Sequence, residues 1–471
     1  MANTARDLIK CSISNAPGTT GGFTLAAAAA NSLMPVAGDD GLKFKLNITQ
    51  NGVGTEIRKD CTYTHNGGTG STFGRGTMVR STGTADAALN FGSSAVVRVV
   101  PSAEDFLTTE IVGASLLPRY RAALAATAAN TADTIIAYMG DSTVAGAYGS
   151  GDDWDTCRTY CPPVLLGNWL KTSMGLPVSL DAAFGQGASA VELLYDPRVT
   201  RTTWTGSNDG TPAGLGGGAY RNDTNEAASI NFAFVDTFDT IEVDYLTNSG
   251  GADFTISVDG GAAIGATVSS TGTLALATTS RTCASGTHTV NINRLAGAGF
   301  ICIFAVRVRH STTKRVLCWN WGVGGSAVAA WTDTTYPWTP GNYAPTLAPH
   351  LILVQLGIND AIASRTNAEA LTDYQALVDL YRPTSDIVFV TPTPVAAASA
   401  TLVDQRDIVT ACREIAQRNG CPIVDAAAVF GTYLAGATAG YFEPADDAVH
   451  PGPTGYQAIA DAVARLPGLL R

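Results

Sequence analysis

Thr134-Ile-Ile-Ala-Tyr-Met139 runs without a break into Gly140-Asp141-Ser142, and a stretch of small residues, Thr143 to Ala147, follows. A short apolar run closed by a glycine has the pattern of a strand buried on both faces, as in a parallel sheet. The small residues after it suit the first turn of a helix. A serine at that junction carries its hydroxyl and its own N–H at the carboxyl edge of the sheet, where open α/β sheets gather their reactive groups.

The same rhythm returns after residue 314. Apolar runs at Arg315-Val-Leu-Cys-Trp319, Leu351-Ile-Leu-Val-Gln-Leu356, Asp386-Ile-Val-Phe-Val390 and Pro422-Ile-Val424 alternate with helical patterns near 368–381, 402–418 and 455–465, and one helix is predicted upstream near 163–174. In the pattern at 368–381, Leu371, Tyr374, Val378 and Tyr381 mark one face. Strands separated by helices predict a parallel sheet covered on both sides. Between the two α/β segments the period changes. Ser229–Phe234, Thr240–Tyr245, Phe254–Val258, His288–Ile292 and Phe300–Phe304 are short alternating runs parted by Gly- and Asn-rich turns, the pattern of a β-sandwich. Residues 1–104 alternate again at Lys43–Ile48 and Ala95–Val100 and predict a small antiparallel β module. The division is therefore a β module over 1–104, a helical linker over 105–130, an α/β domain over 131–200 and 314–471, and a sandwich inserted at 201–313.

The chain has 471 residues, 45% of them hydrophobic and 15% charged, which excludes wholesale disorder. The net charge of −11 is uneven: residues 1–104 carry nine Lys/Arg against seven Asp/Glu, and the remainder twenty against thirty-three. No basic face of the kind a duplex nucleic acid requires is present. Nine scattered cysteines do not make a disulfide framework. Cys157 and Cys161 lack a second pair or a histidine nearby, so no metal site is expected. The N-terminus shows no basic region followed by an apolar core, and Ala26–Ala30 is too short to span a bilayer. The expectation is a soluble chain without a secretory signal or membrane partner.

A serine hydroxyl is a poor nucleophile until a base takes its proton. In Asp447-Ala-Val-His450, a carboxylate three residues before the histidine can hold one imidazole nitrogen while the other faces outward, and Pro451-Gly-Pro-Thr-Gly455 follows as a rigid turn at the mouth of a helix. Ser142, His450 and Asp447 are thus the candidate nucleophile, base and orienting acid. Oxyanion donors are expected from the Ser142 N–H, from the Asn359 amide in Gly357-Ile-Asn-Asp360, and from the Gly322 N–H in Asn320-Trp-Gly-Val-Gly-Gly325. Gly185, in Phe184-Gly-Gln-Gly187, is the alternative to Gly322. Asp360 is read as a brace for its loop. His65, His288, His310 and His350 have no carboxylate at a comparable spacing and are read as structural. Trp331, Tyr336 and Trp338 are candidates for stacking on sugar rings.

These motifs, in this order and each at a strand end, resemble the SGNH or GDSL-like hydrolases, whose name lists the Ser, Gly, Asn and His assigned to Ser142, Gly322, Asn359 and His450. The resemblance covers roughly 131–200 and 314–471. It implies a flavodoxin-like three-layer α/β/α domain that hydrolyses esters through an acyl-enzyme with no metal or other cofactor. One departure is Gly-Asp-Ser-Thr where the family motif has Gly-Asp-Ser-Leu. Residues 1–104 resemble a β module of bacteriophage tail fibres, from Gly22-Phe-Thr-Leu to Val96-Val-Arg-Val-Val100. Together the two resemblances imply a virion enzyme, or a cytoplasmic one if prophage-encoded, that removes O-acetyl groups from bacterial surface polysaccharide, with a homotrimer and other tail proteins as partners. The alternatives are a glycan-binding tail protein without catalysis and a general short-chain lipolytic esterase.

Overall fold

The computed structural model describes residues 117–147, 159–180, 182–185, 196–204, 214–215, 218–442 and 448–466, together with the strands of an N-terminal sheet. The chain divides into two compact units, Met1–Ile111 and Val112–Arg471. In the first unit all pairings are antiparallel, in the order Lys43–Gln50, Val96–Val99, Lys10–Ile13, Phe23–Ala28, Thr72–Phe73, Gly54–Thr64 and Thr77–Ser81. Lys43–Gln50 also pairs with Gly54–Thr64, which closes the sheet on itself and leaves Thr77–Ser81 as an outer strand.

The second unit is built on a parallel sheet of six strands: β1 (Thr134–Gly140), β2 (Val178–Ser179), β3 (Val316–Gly322), β4 (Leu351–Gln355), β5 (Asp386–Val390) and β6 (Ile423–Val424), in the spatial order β6-β5-β4-β1-β3-β2. Every residue of β1, β4 and β5 is buried, as expected of strands covered on both faces. Alternation sorts their side chains into two layers. Ile135, Ala137, Met139, Trp319, Trp321, Ile352 and Phe389 face one core, and Ile136, Tyr138, Cys318, Leu353 and Val388 face the other. The helices that cover these layers are α1 (Pro118–Ala128), α2 (Ser142–Ala145), α3 (Pro162–Met174), α4 (Pro340–Leu347), α5 (Ile358–Ile362), α6 (Asn367–Tyr381), α7 (Leu402–Asn419) and α8 (Pro453–Ala464). Tyr374, Leu377 and Ile408 of α6 and α7 belong to the first core, and Tyr120, Leu170 and Ile459 of α1, α3 and α8 to the second. The domain is a three-layer α/β/α fold of the kind expected. Helix α1 starts at Pro118, whereas the sequence pattern places a helical linker over 105–130; residues 105–116 lie outside the described residues.

The insert is a sandwich of two antiparallel sheets. One runs Ala183–Phe184, Ile301–Arg309, Phe238–Thr247, Ala275–Gly286, and the other Val199–Thr202, Ala228–Ala233, Thr289–Arg294, Asp253–Val258, Val268–Ser269. It therefore begins near residue 183 and not at 201, because Phe184 is buried among Phe232 and Phe234 in the sandwich core. The strand Ile301–Arg309 is buried on both sides: Ile303, Val306 and Val308 face the sandwich, while Cys302 and Phe304 join the core of the hydrolase-like domain.

A buried polar cluster fastens the two. The Asp244 carboxylate accepts hydrogen bonds from Arg307 Nη2 at 2.8 Å, from Thr278 Oγ1 at 2.7 Å and from the Tyr343 hydroxyl of α4. Burial raises the Asp244 carboxyl above its usual range, and the neighbouring Arg307 opposes that shift. Replacing Tyr343 by Phe keeps the ring and removes one donor from this buried acid. The expected result is a loss of about 1–3 kcal/mol in denaturant unfolding, with the insert and the α/β domain still melting together; two separated transitions in the wild type would contradict the rigid attachment.

Candidate active site

Helix α2 is only four residues long and sits directly over the ends of β1 and β3. Gly140 and Gly322 pair with each other in those strands, and neither has room for a side chain. A Cβ on Gly140 would lie 2.2 Å from Val144 Cγ2, and one on Gly322 would lie 2.0 Å from the Ala145 backbone nitrogen. Glycine at both positions is what lets the helix come down onto the sheet, and Ser142 is its first residue. The Ser142 N–H precedes the first intrahelical bond, so it is one of the donors a helix start leaves open.

Asp141 caps this turn. Its Oδ1 accepts from the Thr143 backbone nitrogen at 2.9 Å and from Thr143 Oγ1 at 2.7 Å. The carboxylate is fully buried and its Oδ2 has no hydrogen-bond partner. Burial, opposed by the Thr143 hydrogen bonds and by His450, pushes its pKa up to about 6.

Ser142 and His450, more than 300 positions apart in sequence, meet in space: Nε2 of the imidazole lies 2.7 Å from the Ser142 hydroxyl oxygen. The loop carrying His450 is held by backbone contacts. Ala396 N–H donates to Ala448 O at 2.8 Å, Gly452 N–H donates to Tyr441 O at 2.8 Å, and Phe442 bridges Pro451. Helix α8 begins at Pro453, and its Tyr456 hydroxyl donates to the Ala147 carbonyl just beyond α2, so one helix braces both the His450 loop and the turn that carries Ser142. Asp447 lies outside the described residues.

Asn359 stands on α5 at the end of β4. Its Nδ2 donates to the Ser326 carbonyl at 3.0 Å, which ties its loop to the turn after β3 and leaves a second amide hydrogen. Asp360 accepts from the Val328 N–H at 3.1 Å, a brace for the loop. The glycine expectations need revision. Strand β3 does not end at 319 but continues to Gly322, whose N–H donates to Asn320 Oδ1 at 2.9 Å. That donor is engaged. Gly325 lies three residues on, in the exposed turn joined to Asn359, with φ +75 and open space around its Cα. Gly185 sits elsewhere: a Cβ there would meet the Phe304 carbonyl oxygen at 2.1 Å, so it is packed on the insert's sheet.

Of the three aromatic candidates, Trp331 is buried and stacks on Trp321 at 6.3 Å, so it is a core residue with no face for a ligand. Tyr336 and Trp338 stack parallel at 4.9 Å, and Trp338 stacks in turn on Phe304 of the insert at 6.1 Å. Tyr336, the outermost ring, is 48% exposed.

A second Ser-His-Asp grouping occurs on the insert: His310 Nε2 lies 2.9 Å from Ser285 Oγ and His310 Nδ1 lies 3.7 Å from Asp239 Oδ2. Here Nδ1 accepts the backbone N–H groups of Thr312 and Thr313 at 3.3 and 3.2 Å. The neutral ring must then carry its proton on Nε2 and donate to the serine, the reverse of what a base requires. No group of three or more metal-ligating side chains occurs among the described residues, nor a helix long and apolar enough to cross a membrane.

Residues 297–458 match the model of the GDSL-like Lipase/Acylhydrolase family. The match begins just before the last strand of the insert, so β1 and Ser142 lie upstream of it. No curated protein matches the chain. Among solved structures, a peptidoglycan O-acetylesterase is similar over 76% of this chain and 96% of its own, with a TM-score of 0.50 and 16% identity. A lipase/acylhydrolase from Enterococcus faecalis covers 32% of this chain and 74% of its own, with a TM-score of 0.26 and 15% identity. An acetylxylan esterase from Geobacillus stearothermophilus covers 34% and 76%, with a TM-score of 0.26 and 21% identity.

Asp141 supplies a pH test. The folded chain holds its proton more tightly than the unfolded chain, so the group adds stability below pH 4 and loses it as pH rises through about 6. Asp141→Asn retains a capping oxygen but cannot ionise. Relative to this variant, the wild type should lose on the order of 3 kcal/mol between pH 4 and 7, read from denaturant unfolding at each pH. A wild type and variant that follow parallel pH curves would contradict the buried ionised state.

The chain is a serine ester hydrolase whose residues 297–458 are similar to the GDSL-like lipase/acylhydrolases.

Proposed function

We propose that the chain is an acetylesterase acting on an acetylated carbohydrate, with Ser142 as nucleophile, His450 as base and Asp447 as the acid that orients it. The observation that carries this is the 2.7 Å approach of His450 Nε2 to Ser142 Oγ at the carboxyl edge of a parallel sheet. Ser142 Oγ attacks the acetyl carbonyl carbon while its proton passes to His450. The oxyanion that forms is met by the N–H groups of Ser142 and Gly325 and by the free amide hydrogen of Asn359. In this role Gly325 replaces Gly322. The intermediate collapses with loss of the sugar oxygen, which takes the proton from His450, and leaves acetyl-Ser142. Water, deprotonated by His450, then attacks the acetyl carbon and acetate departs as Ser142 recovers its proton.

The glycan preference draws on two things. Tyr336, backed by Trp338, offers one exposed ring face suited to the apolar face of a pyranose, and a peptidoglycan O-acetylesterase shares the fold, an analogy of fold and not of site. The closed antiparallel N-terminal unit fits an attachment module, and with it a place on a phage tail acting on host surface polysaccharide. A lipolytic second reading has its own observation: an apolar cleft of about 240 Å3 lined by Ile358, Pro394, Val395, Leu402 and Tyr433 begins beside Gly357, two residues from Asn359.

Ser142→Ala should cut turnover of p-nitrophenyl acetate by at least about 10⁴-fold with an unchanged melting curve. Acetate release from a panel of acetylated bacterial glycans, set against an acyl-length series of nitrophenyl esters, separates the readings: activity that climbs with chain length favours the lipolytic one. Tyr336→Ala should raise KM for an acetylated polymer roughly 5- to 10-fold, the worth of one aromatic contact, and leave p-nitrophenyl acetate kinetics alone. Equal effects on both substrates would remove the stack from substrate recognition.

A further inference from the structure

We infer that Thr143 is a positioning residue, whose hydroxyl couples the turn bearing Ser142 to the strand that delivers Asn359; this deepens, and rests on, the reading of Ser142 as nucleophile. A helix of four residues cannot hold its shape by its own hydrogen bonds. What holds this one is a buried chain of polar contacts beneath it. Thr143 Oγ1 donates to Asp141 Oδ1 at 2.7 Å and accepts from Gln355 Nε2 at 3.3 Å, and Gln355 Oε1 accepts from the Tyr138 hydroxyl at 2.9 Å. Asp141, Thr143, Gln355 and Tyr138 are all buried.

The directions in this chain are forced. An ionised carboxylate only accepts, so the Thr143 proton points to Asp141 and its lone pair is left for the Gln355 amide, whose carbonyl is then left for Tyr138. The contacts begin on β1, cross to β4 and return to α2. Gln355 lies opposite Gly140 in the sheet, and Gly357, at φ +120, and Asn359 follow it directly. The same amide side chain therefore anchors both the capped turn that presents the Ser142 N–H and the loop that presents the Asn359 amide. A change in either contact alters the separation of two oxyanion donors, and a displacement of an ångström is enough to cost rate. The leucine of the Gly-Asp-Ser-Leu motif would fill the space of Thr143 but could neither donate nor accept, so this linkage depends on the residue by which the chain departs from that motif.

The charged groups acting on Asp141 are His450, which favours its carboxylate, and Asp360, which opposes it. Removing the Thr143 hydroxyl takes away a hydrogen bond to the charged form, so Asp141 keeps its proton to higher pH; because the linkage needs the Asp141 carboxylate as acceptor, the acid limb of activity should move the same way.

The test measures kcat, KM and the pH profile with p-nitrophenyl acetate for wild type, Thr143→Val, Thr143→Ser and Gln355→Leu, with Ser142→Ala as the zero. Thr143→Val should lower kcat about tenfold with KM within about twofold, shift the acid limb upward, and be largely restored in Thr143→Ser. A Thr143→Val enzyme with wild-type kcat and acid limb, only melting earlier, overturns the inference and leaves Thr143 a packing residue. Should Thr143→Val not fold, Gln355→Leu decides the matter: a similar fall in kcat supports the link, and an unchanged kcat overturns it. Turnover that survives in Ser142→Ala would instead mark the failure of the nucleophile assignment, whatever the Thr143 variants do.

Discussion

The close approach of one short helix to two neighbouring strands governs everything else in this molecule. Because Gly140 and Gly322 lack side chains, α2 rests on the edges of β1 and β3, and the Ser142 hydroxyl emerges where His450 can reach it. A methyl group at either glycine would collide with the helix backbone or with Val144. The position of Ser142 is thus a packing result before it is a chemical one. The chemistry that follows needs only an imidazole whose outward nitrogen is unprotonated and donors waiting where charge develops. The insert's own Ser285–His310–Asp239 grouping makes the contrast plain, since the same residue types with the opposite tautomer form a structural knot.

The insert interrupts the α/β domain in sequence without weakening it in space. Ile301–Arg309 serves as the inner strand of a sandwich sheet on one face and as cover for the hydrolase core on the other. The buried Asp244 gathers Arg307, Thr278 and Tyr343 from both partners. An acid so placed is tolerated only while its hydrogen bonds are satisfied, so the cluster favours one seating of the insert over others. The same face brings Phe304 under Trp338 and Tyr336. The aromatic stack is therefore carried jointly by the two parts.

Much of this was legible in the chain itself. The strands β1, β4 and β5 are continuous apolar runs, and nothing but a two-sided burial explains them. Ser142 and His450 each sit in a short motif legible from the sequence, and the fold brings their side chains within 2.7 Å. Other features lay beyond local reading. The strand Ala275–Gly286 escapes notice because, at the edge of its sheet, it is made mostly of Ala, Thr and Ser with no large apolar face. The continuation of β3 through Asn320 to Gly322 depends on parallel pairing with β1 and not on strand propensity, and it is what engages the Gly322 N–H. Phe184 falls within the 131–200 span assigned from sequence to the α/β domain, yet its burial is supplied by rings of the insert far along the chain. Trp331 could not be told from Tyr336 by composition, since only tertiary packing turns one inward and the other outward. The polar chain through Thr143, Gln355 and Tyr138 joins residues more than 200 positions apart, beyond the reach of any motif.

One measurement addresses the convergence of Ser142 and His450 most directly: reaction of the intact protein with a fluorophosphonate, a reagent that phosphonylates only serines activated by a neighbouring base, followed by peptide mass spectrometry. A single adduct on the peptide containing Ser142, formed in the wild type and lost in His450→Asn, is the predicted result. Labelling at Ser285, or at Ser142 with equal speed when His450 is replaced, would contradict it.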